Sequence, residues 1–350
     1  MTHEKCCLGC GASLQTKNSQ EKGYCLSLEK DYCQRCFRLT HYNDPVIDFR
    51  RSVDGSEMKK MIAEEKEALF IYVVDILSLT DFFRSEGLSQ LRQRHVLLLI
   101  NKIDLLPRNS CLSKIEKKII AQLRKQDLTD IYLEGVYLTR KNDPHFKKLF
   151  AEFMAEHTFQ KLIFMGAFNA GKSTLLNYLL EDKRFTTSIY PSTTLSLQAV
   201  EREGILYYDS PGSVNDHNFL LNVEVDDLKK LATQHTIKPQ VFQLYEDQSY
   251  LLENIFQMDV VAKEKTSVIF YFANALPLHR TKTMNVARYL ETQKDAFSFQ
   301  NTRMSEFTFQ YIGRKDYEIP GLGFITVHNA KAVRFYVPQR TKVWEREVLL

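Results

Sequence analysis

The stretch Gly166-Ala-Phe-Asn-Ala-Gly171-Lys172-Ser173-Thr174 follows the pattern G-x-x-x-x-G-K-[ST]. Its residue types suit one task, the holding of phosphate. Gly166 and Gly171 let backbone N–H groups wrap an anion, and a helix opening here adds the positive end of its dipole. Lys172 reaches β- and γ-phosphates, and the Ser173 hydroxyl can ligate Mg²⁺. Asn101-Lys102-Ile103-Asp104 suits a second task. A carboxylate in that place accepts both N1–H and N2–H of guanine, a donor pair that adenine lacks. Asn101 can brace the loop and reach the base edge, and the Lys102 stem can lie on the base plane. In Asp209-Ser-Pro-Gly212 the carboxylate can hold the water shell of Mg²⁺, and the Gly212 N–H can meet a γ-phosphate. Thr194, closing Tyr190-Pro-Ser-Thr-Thr194, is a further magnesium-side hydroxyl.

Cys7, Cys10, Cys33 and Cys36 form two C-x₂-C pairs separated by 22 residues. Each pair can bite one tetrahedral ion, and together they make a four-thiolate zinc site with no open position, hence a structural one. A redox dithiol is the alternative.

These motifs need strands that end where they begin. Apolar runs at Ala68–Val74, Val96–Ile100, Ile131–Leu138, Lys161–Met165 and Ile205–Tyr208 predict strands, with helices over 57–67, 113–126, 143–156 and 175–180. Motifs that each follow a short buried strand converge on the carboxyl edge of one parallel sheet, where such folds bind ligands. From Glu224 onward, strand-like runs at 241–246, 250–261, 267–273, 306–312, 322–328 and 332–337, with helices over 225–235 and 283–295, predict an α+β domain without a catalytic cluster.

Length and composition set the frame. The chain has 350 residues, enough for two or three domains, and 44% hydrophobic with 26% charged residues is ordinary for a globular protein. No run approaches the ~18 apolar residues of a membrane span. Met1–Cys6 lacks the apolar core of a secretory signal, which gives the expectation of a cytoplasmic protein with reduced cysteines. The net charge of +4 is too mild to mark a nucleic-acid binder by itself. Residues 271–350 hold 12 Lys/Arg and 7 Asp/Glu, an excess that suits an anionic partner as well as a solvated surface.

The order of the motifs is unusual. Asn101–Asp104 precedes Gly166–Ser173, which precedes Thr194 and Asp209–Gly212, whereas the common GTPase layout begins with the phosphate loop. Because the termini of compact domains lie close together, a permuted chain can keep the same sheet. This order, behind the paired cysteines, resembles the circularly permuted GTPases of the YqeH family, a ribosome biogenesis group. The resemblance extends through Cys7–Gly11, Cys33–Asn43, the three nucleotide motifs, His279-Arg-Thr-Lys282 and Gly321–Val327.

It implies an α/β fold: a circularly permuted P-loop GTPase domain (51–223) with an N-terminal zinc knuckle (1–50) and a C-terminal α+β domain (224–350) that binds RNA or the ribosome. It further implies hydrolysis of GTP to GDP with Mg²⁺ as a conformational switch, carried by Lys172, Thr194, Asp209 and Gly212. The implied partner is the small ribosomal subunit or its rRNA precursor, with neither membrane nor DNA expected. In potassium-activated GTPases, which the family resembles in this motif, an asparagine at the position of Asn169 helps to hold K⁺ beside the β- and γ-phosphates. Ser213 departs from the pattern, since the family carries an apolar residue there and other GTPases a glutamine, so hydrolysis is slow or assisted. A guanine-nucleotide-dependent RNA-binding module with little intrinsic hydrolysis is the competing reading, and an ATP-using enzyme is disfavoured by Asp104.

Overall fold

The computed structural model describes residues 5–7, 10, 12–19, 21–34, 36–38, 56–85, 87–128, 130–182, 185, 198–212, 217–223, 228, 230–292 and 303–350. Chain order does not set the compact units. One comprises Met1–Ile76, Ser85–Ile103 and Ile120–Val214, the other Leu77–Arg84, Asp104–Ile119 and Asn215–Leu350.

From residue 56 to 209 the elements run α1 (Ser56–Glu64), β1 (Leu69–Asp75), α2 (Leu79–Arg84), β2 (His95–Asn101), α3 (Leu112–Leu123), β3 (Tyr132–Leu138), α4 (Pro144–Glu156), β4 (Lys161–Met165), α5 (Lys172–Leu180), β5 (Gln198–Arg202) and β6 (Ile205–Asp209). β1 and β2 read as nearly unbroken apolar runs because they lie inside a parallel sheet and are buried along almost their whole length. The strand order is β3-β2-β1-β4-β6-β5, parallel throughout except for β5. Beginning the chain at β4 and joining β6 to β1 would leave every one of these pairings intact, so permutation costs the sheet nothing. The chain proceeds from β1 to one side and from β4 to the other. The order therefore reverses between these neighbours, and the crevice at their carboxyl ends is where such sheets take ligands.

Local sequence explains how the helices sit on the first unit's sheet. Asp143 caps α4, its Oδ1 accepting the N–H groups of His145 at 3.1 Å and Phe146 at 3.4 Å, with Pro144 preorganised for the first turn. Phe146, Phe150 and Phe153 then fall on one stripe and pack with Leu162, Phe164 and Leu176. Each buried ring of this kind contributes roughly 2 kcal/mol.

The second unit holds β7 (Gln240–Leu244), β8 (Gln248–Leu252), β9 (Phe256–Phe272), β10 (His279–Lys282), α6 (Val286–Thr292), β11 (Met304–Ile319), β12 (Gly323–Pro338) and β13 (Trp344–Arg346). The strands form one antiparallel sheet of order β10-β8-β9-β12-β11-β13, with β7 also paired to β9. The sequence suggests separate strands at 250–261 and 267–273, but β9 is a single strand and the break comes earlier, where Glu253 turns with φ 48°. Polar Lys263-Glu-Lys-Thr266 reads as a turn in isolation. In the sheet, β12 pairs with β9 on both sides of it, and a left-handed Lys265 (φ 56°) absorbs the irregularity. β12 runs unbroken through 329–331 in the same way, with Asn329 at φ 57° beside the register shift. The helix expected over 225–235 lies partly outside the described residues.

Tyr250, Phe256, Phe270, Tyr317 and Phe335 fill the second unit's core. An ionic cluster is buried beside it. Glu318 and Asp316 are both 0% exposed, and Arg346 reaches them, Nη1 at 2.5 Å from Glu318 Oε2 and Nε at 3.5 Å from Asp316 Oδ2. The Glu318 carboxylate also accepts the N–H groups of Thr80 at 2.8 Å and Asp81 at 2.9 Å, so it seats the first turn of α2 on this sheet. Among the described residues, no helix is long and apolar enough to cross a membrane.

Candidate nucleotide site and cysteine cluster

The phosphate-loop residues follow β4 directly and open α5, the strand–loop–helix context the motif requires. The loop is strained in a way only some residues tolerate. Gly171 has φ 99°, and a Cβ there would come within 2.3 Å of Asn101 Nδ2. Gly166 also has a positive φ, 134°, and Asn169, at φ 57°, is the non-glycine among them, a conformation asparagine accepts better than most. Lys172 is buried, and its Nζ donates to the carbonyls of Gly166 and Ala167, each at 3.1 Å. Burial lowers its pKa to about 8, against an upward pull from Asp209. The lysine thus spans the loop where an anion would sit, and a phosphate there would raise its pKa again by stabilising the charged form.

β6 delivers Asp209 beside the loop, since Phe164 of β4 pairs with Asp209 in the parallel register. Ser173 Oγ donates to Asp209 Oδ2 at 2.6 Å. A hydroxyl and a carboxylate are hard oxygen donors of the kind Mg²⁺ takes with substrate phosphates, so this pair fits the ion. Mg²⁺ bound there would neutralise charge on the phosphates. Gly212 follows within a close approach: a Cβ on it would lie 2.6 Å from Phe168 Cα. Thr194 and Ser213 lie outside the described residues.

The Asn101–Asp104 segment adjoins the same loop. Asn101 ends β2, and its Nδ2 donates to the Ala170 carbonyl at 2.8 Å, while its Oδ1 is buried without a hydrogen-bond partner among the described residues. Asn101 therefore braces the phosphate loop, as its place in the motif suggests. Lys102 takes φ 65° and its Nζ pairs with Asp75 Oδ2 at 2.8 Å. Asp104, on the one-turn helix Ile103–Leu105, is exposed. Thr139 is buried, and its N–H and carbonyl tie it to Ile100 and Ile103.

Sequence reasoning left Asp75 without a role. It ends β1 directly across from Asn101 in the register, and an acidic residue closing a buried apolar strand was the available signal.

The four cysteines gather as their spacing requires. Cys7, Cys10, Cys33 and Cys36 are all buried, carry no disulfide, and place their sulfurs within 4.8 Å of one another. A zinc ion with sulfurs at about 2.3 Å spaces them about 3.8 Å apart. Cys10 Sγ and Cys33 Sγ are 3.8 Å apart. Backbone N–H groups of Cys33 and Cys36 donate to Cys7 Sγ at 3.1 Å and Cys33 Sγ at 3.4 Å, bonds that favour thiolate. Hydrogen bonding with Cys10 foremost draws Cys7 and Cys33 below the usual thiol range. The same hydrogen bonding raises Cys10, chiefly through Cys33, and Cys36, chiefly through Cys10, with burial adding to both. The donor set and geometry fit zinc.

The chain is 30% identical over 370 residues to YqeH of Bacillus subtilis (strain 168), an alignment spanning 98% of this chain and 99% of the relative. The chain belongs to the YqeH family. Residues 161–292 of this YqeH-family chain also match the model of a family described as 50S ribosome-binding GTPase. That match starts at β4, and Asn101–Asp104 lies upstream of it, as a circularly permuted P-loop GTPase domain demands. The chain is 23% identical over 416 residues to NO-associated protein 1, chloroplastic/mitochondrial, of Arabidopsis thaliana, covering 99% of this chain and 74% of that one. It is 31% identical over 150 residues to GTPase Der of Protochlamydia amoebophila (strain UWE25), covering 41% of this chain and 30% of Der. This YqeH-family chain is a GTP-binding protein with a GTPase domain, an N-terminal four-cysteine cluster and a C-terminal antiparallel sheet.

Proposed function

We propose that the protein hydrolyses GTP with Mg²⁺ and uses the cycle as a switch in ribosome biogenesis. The observation that carries this reading is the bond from Asn101 Nδ2 to the Ala170 carbonyl at 2.8 Å, which ties the guanine motif to the phosphate loop. Lys172 and the Gly212 N–H act on the γ-phosphate, Ser173, Asp209 and Thr194 serve Mg²⁺, and Asp104 selects guanine. The chain divides into a zinc segment (1–50), the GTPase domain (51–223) and a C-terminal partner-binding domain (224–350). Zinc in the four-cysteine cluster is structural, and the protein works in the cytoplasm.

Ser213 supplies no catalytic side chain of the glutamine type, so charge developing on the phosphates needs another counterweight. K⁺ held by Asn169 is that counterweight. Steady-state phosphate release tests hydrolysis, run in KCl and in NaCl at matched ionic strength. Potassium stimulation in the native protein but not in Asn169→Ala is expected. Absence of turnover in both salts favours the binding-module reading. Asp104→Asn tests the base contact, with GTP affinity lost and affinity gained for XTP, whose 2-oxo group needs a donor.

The partner is the small ribosomal subunit or its rRNA precursor, supported by the family and by the basic excess of residues 271–350. The family model's own description names the 50S particle. Cosedimentation of the full chain with separated subunits, at rising salt, decides between the two particles.

A further inference from the structure

Asp104 bears the carboxylate that selects guanine, yet its backbone is held from a distant part of the chain. Thr236 Oγ1 donates to the Asp104 carbonyl at 2.8 Å. The next residue repeats the contact, the Ile237 N–H donating to the Leu105 carbonyl at 2.8 Å. Thr236 and Ile237 lie just ahead of β7, and they are pinned in turn by Asn274, just past the end of β9. Asn274 Nδ2 donates to the Thr236 carbonyl at 2.9 Å, and its Oδ1 accepts the Lys238 N–H at 2.8 Å. Ile237 and Leu105 are 2% and 4% exposed, so the paired backbones close over apolar side chains while Asp104 stays exposed. All of these residues belong to the second unit.

A helix of one turn, Ile103–Leu105, has little internal bonding to fix its direction. A carboxylate that must meet N1–H and N2–H together tolerates an error of only about 0.5 Å in placement. Upstream, the Ile103 N–H is held by the Thr139 carbonyl; at and beyond Asp104 itself, the successive carbonyls of Asp104 and Leu105 are both taken by the 236–237 segment. We propose that Thr236 and Asn274 are positioning residues for base recognition by Asp104. This rests on the reading of Asn101–Asp104 as a guanine motif.

Hypoxanthine keeps N1–H and lacks the 2-amino group, so the ratio of GDP to IDP affinity reports the two-point contact itself. Dissociation constants of fluorescent GDP, IDP and ADP are to be measured on the full chain with Mg²⁺, native and variant. Thr236→Val, which keeps the shape and removes the donor, is expected to weaken GDP about five- to tenfold, the worth of one oriented hydrogen bond, and IDP by less. Thr236→Ser restores the ratio, and Asn274→Ala lowers it in the same direction. Equal weakening of GDP and IDP marks a merely structural role and overturns the proposal, as does an unchanged ratio in both Thr236→Val and Asn274→Ala. Native protein that fails to distinguish GDP from ADP overturns the guanine reading itself and the positioning role with it.

Discussion

The Ser173 hydroxyl donates to Asp209 Oδ2 at 2.6 Å, joining the first turn of α5 to the end of β6. A bond this short from a neutral hydroxyl to a carboxylate is charge-assisted. It holds the two oxygens together at the mouth of the phosphate loop, where Mg²⁺ would replace the shared proton as the link. Ser173→Ala should leave Mg²⁺-independent nucleotide binding nearly unchanged and reduce the gain in GTP affinity on adding Mg²⁺ by about tenfold, the worth of one lost charged contact. Titration of fluorescent GTP with and without Mg²⁺ checks it, and an undiminished gain removes Ser173 from the metal's ligands.

Lys172 gives nucleotide binding a pH dependence of definite sign. Its pKa in the free protein is lowered to about 8 by burial. A bound phosphate stabilises the charged form and raises that pKa, so binding takes up a proton above the free value. Affinity should therefore be flat below pH 8 and fall as pH rises through 8 to 9, by up to about tenfold per unit. Dissociation constants for GDP across pH 7–9 test this, with Lys172→Ala expected to be weak and flat.

The sulfur geometry predicts about one zinc per chain by elemental analysis of the purified protein. Cys33→Ser should reduce the metal content sharply and lower the thermal midpoint, because Cys33 both approaches Cys10 at 3.8 Å and accepts the Cys36 N–H. Zinc retained in full by that variant would transfer the ligand role to another cysteine.

Arg346 is the guanidinium set between Glu318 and Asp316, both buried at 0% exposure. Removing it leaves two buried carboxylates without their cation, so Arg346→Ala should destabilise the second unit by about 3–5 kcal/mol. Burial raises the pKa of Glu318 despite Arg346 and the Thr80 and Asp81 amides. A carboxylate whose folded pKa is raised stabilises the fold at low pH, a contribution lost as pH climbs from the ordinary value through the folded one. Loss in Arg346→Ala should accordingly be smaller at pH 5 than at pH 8, where denaturant unfolding of both proteins can be compared.

The sequence alone determined the chemistry-bearing residues and the local frame that presents them. A strand, a glycine-bearing loop and a helix are consecutive in the chain, so Gly166–Thr174 can be read from neighbours a few residues away. The same holds for Asn101–Asp104 after an apolar run and for cysteine pairs whose spacing closes one turn. Tertiary structure alone decided what depends on partners remote in sequence. The continuity of β9 through Lys263-Glu-Lys-Thr266 comes from pairing with β12, whose hydrogen bonds outweigh a polar run that favours a turn. Asp75 acquired a partner only because parallel register set it opposite Asn101, and its salt bridge to Lys102 cannot be inferred from spacing. Glu318 and Asp316 lie beyond the strand expected over 306–312, and only the extended β11, α2 and Arg346 make them buried carboxylates. Thr236 carries no motif at all. Its link to Asp104 exists because a hydroxyl and a carbonyl far apart in the chain meet at 2.8 Å, a fact that folding supplies and periodicity does not encode.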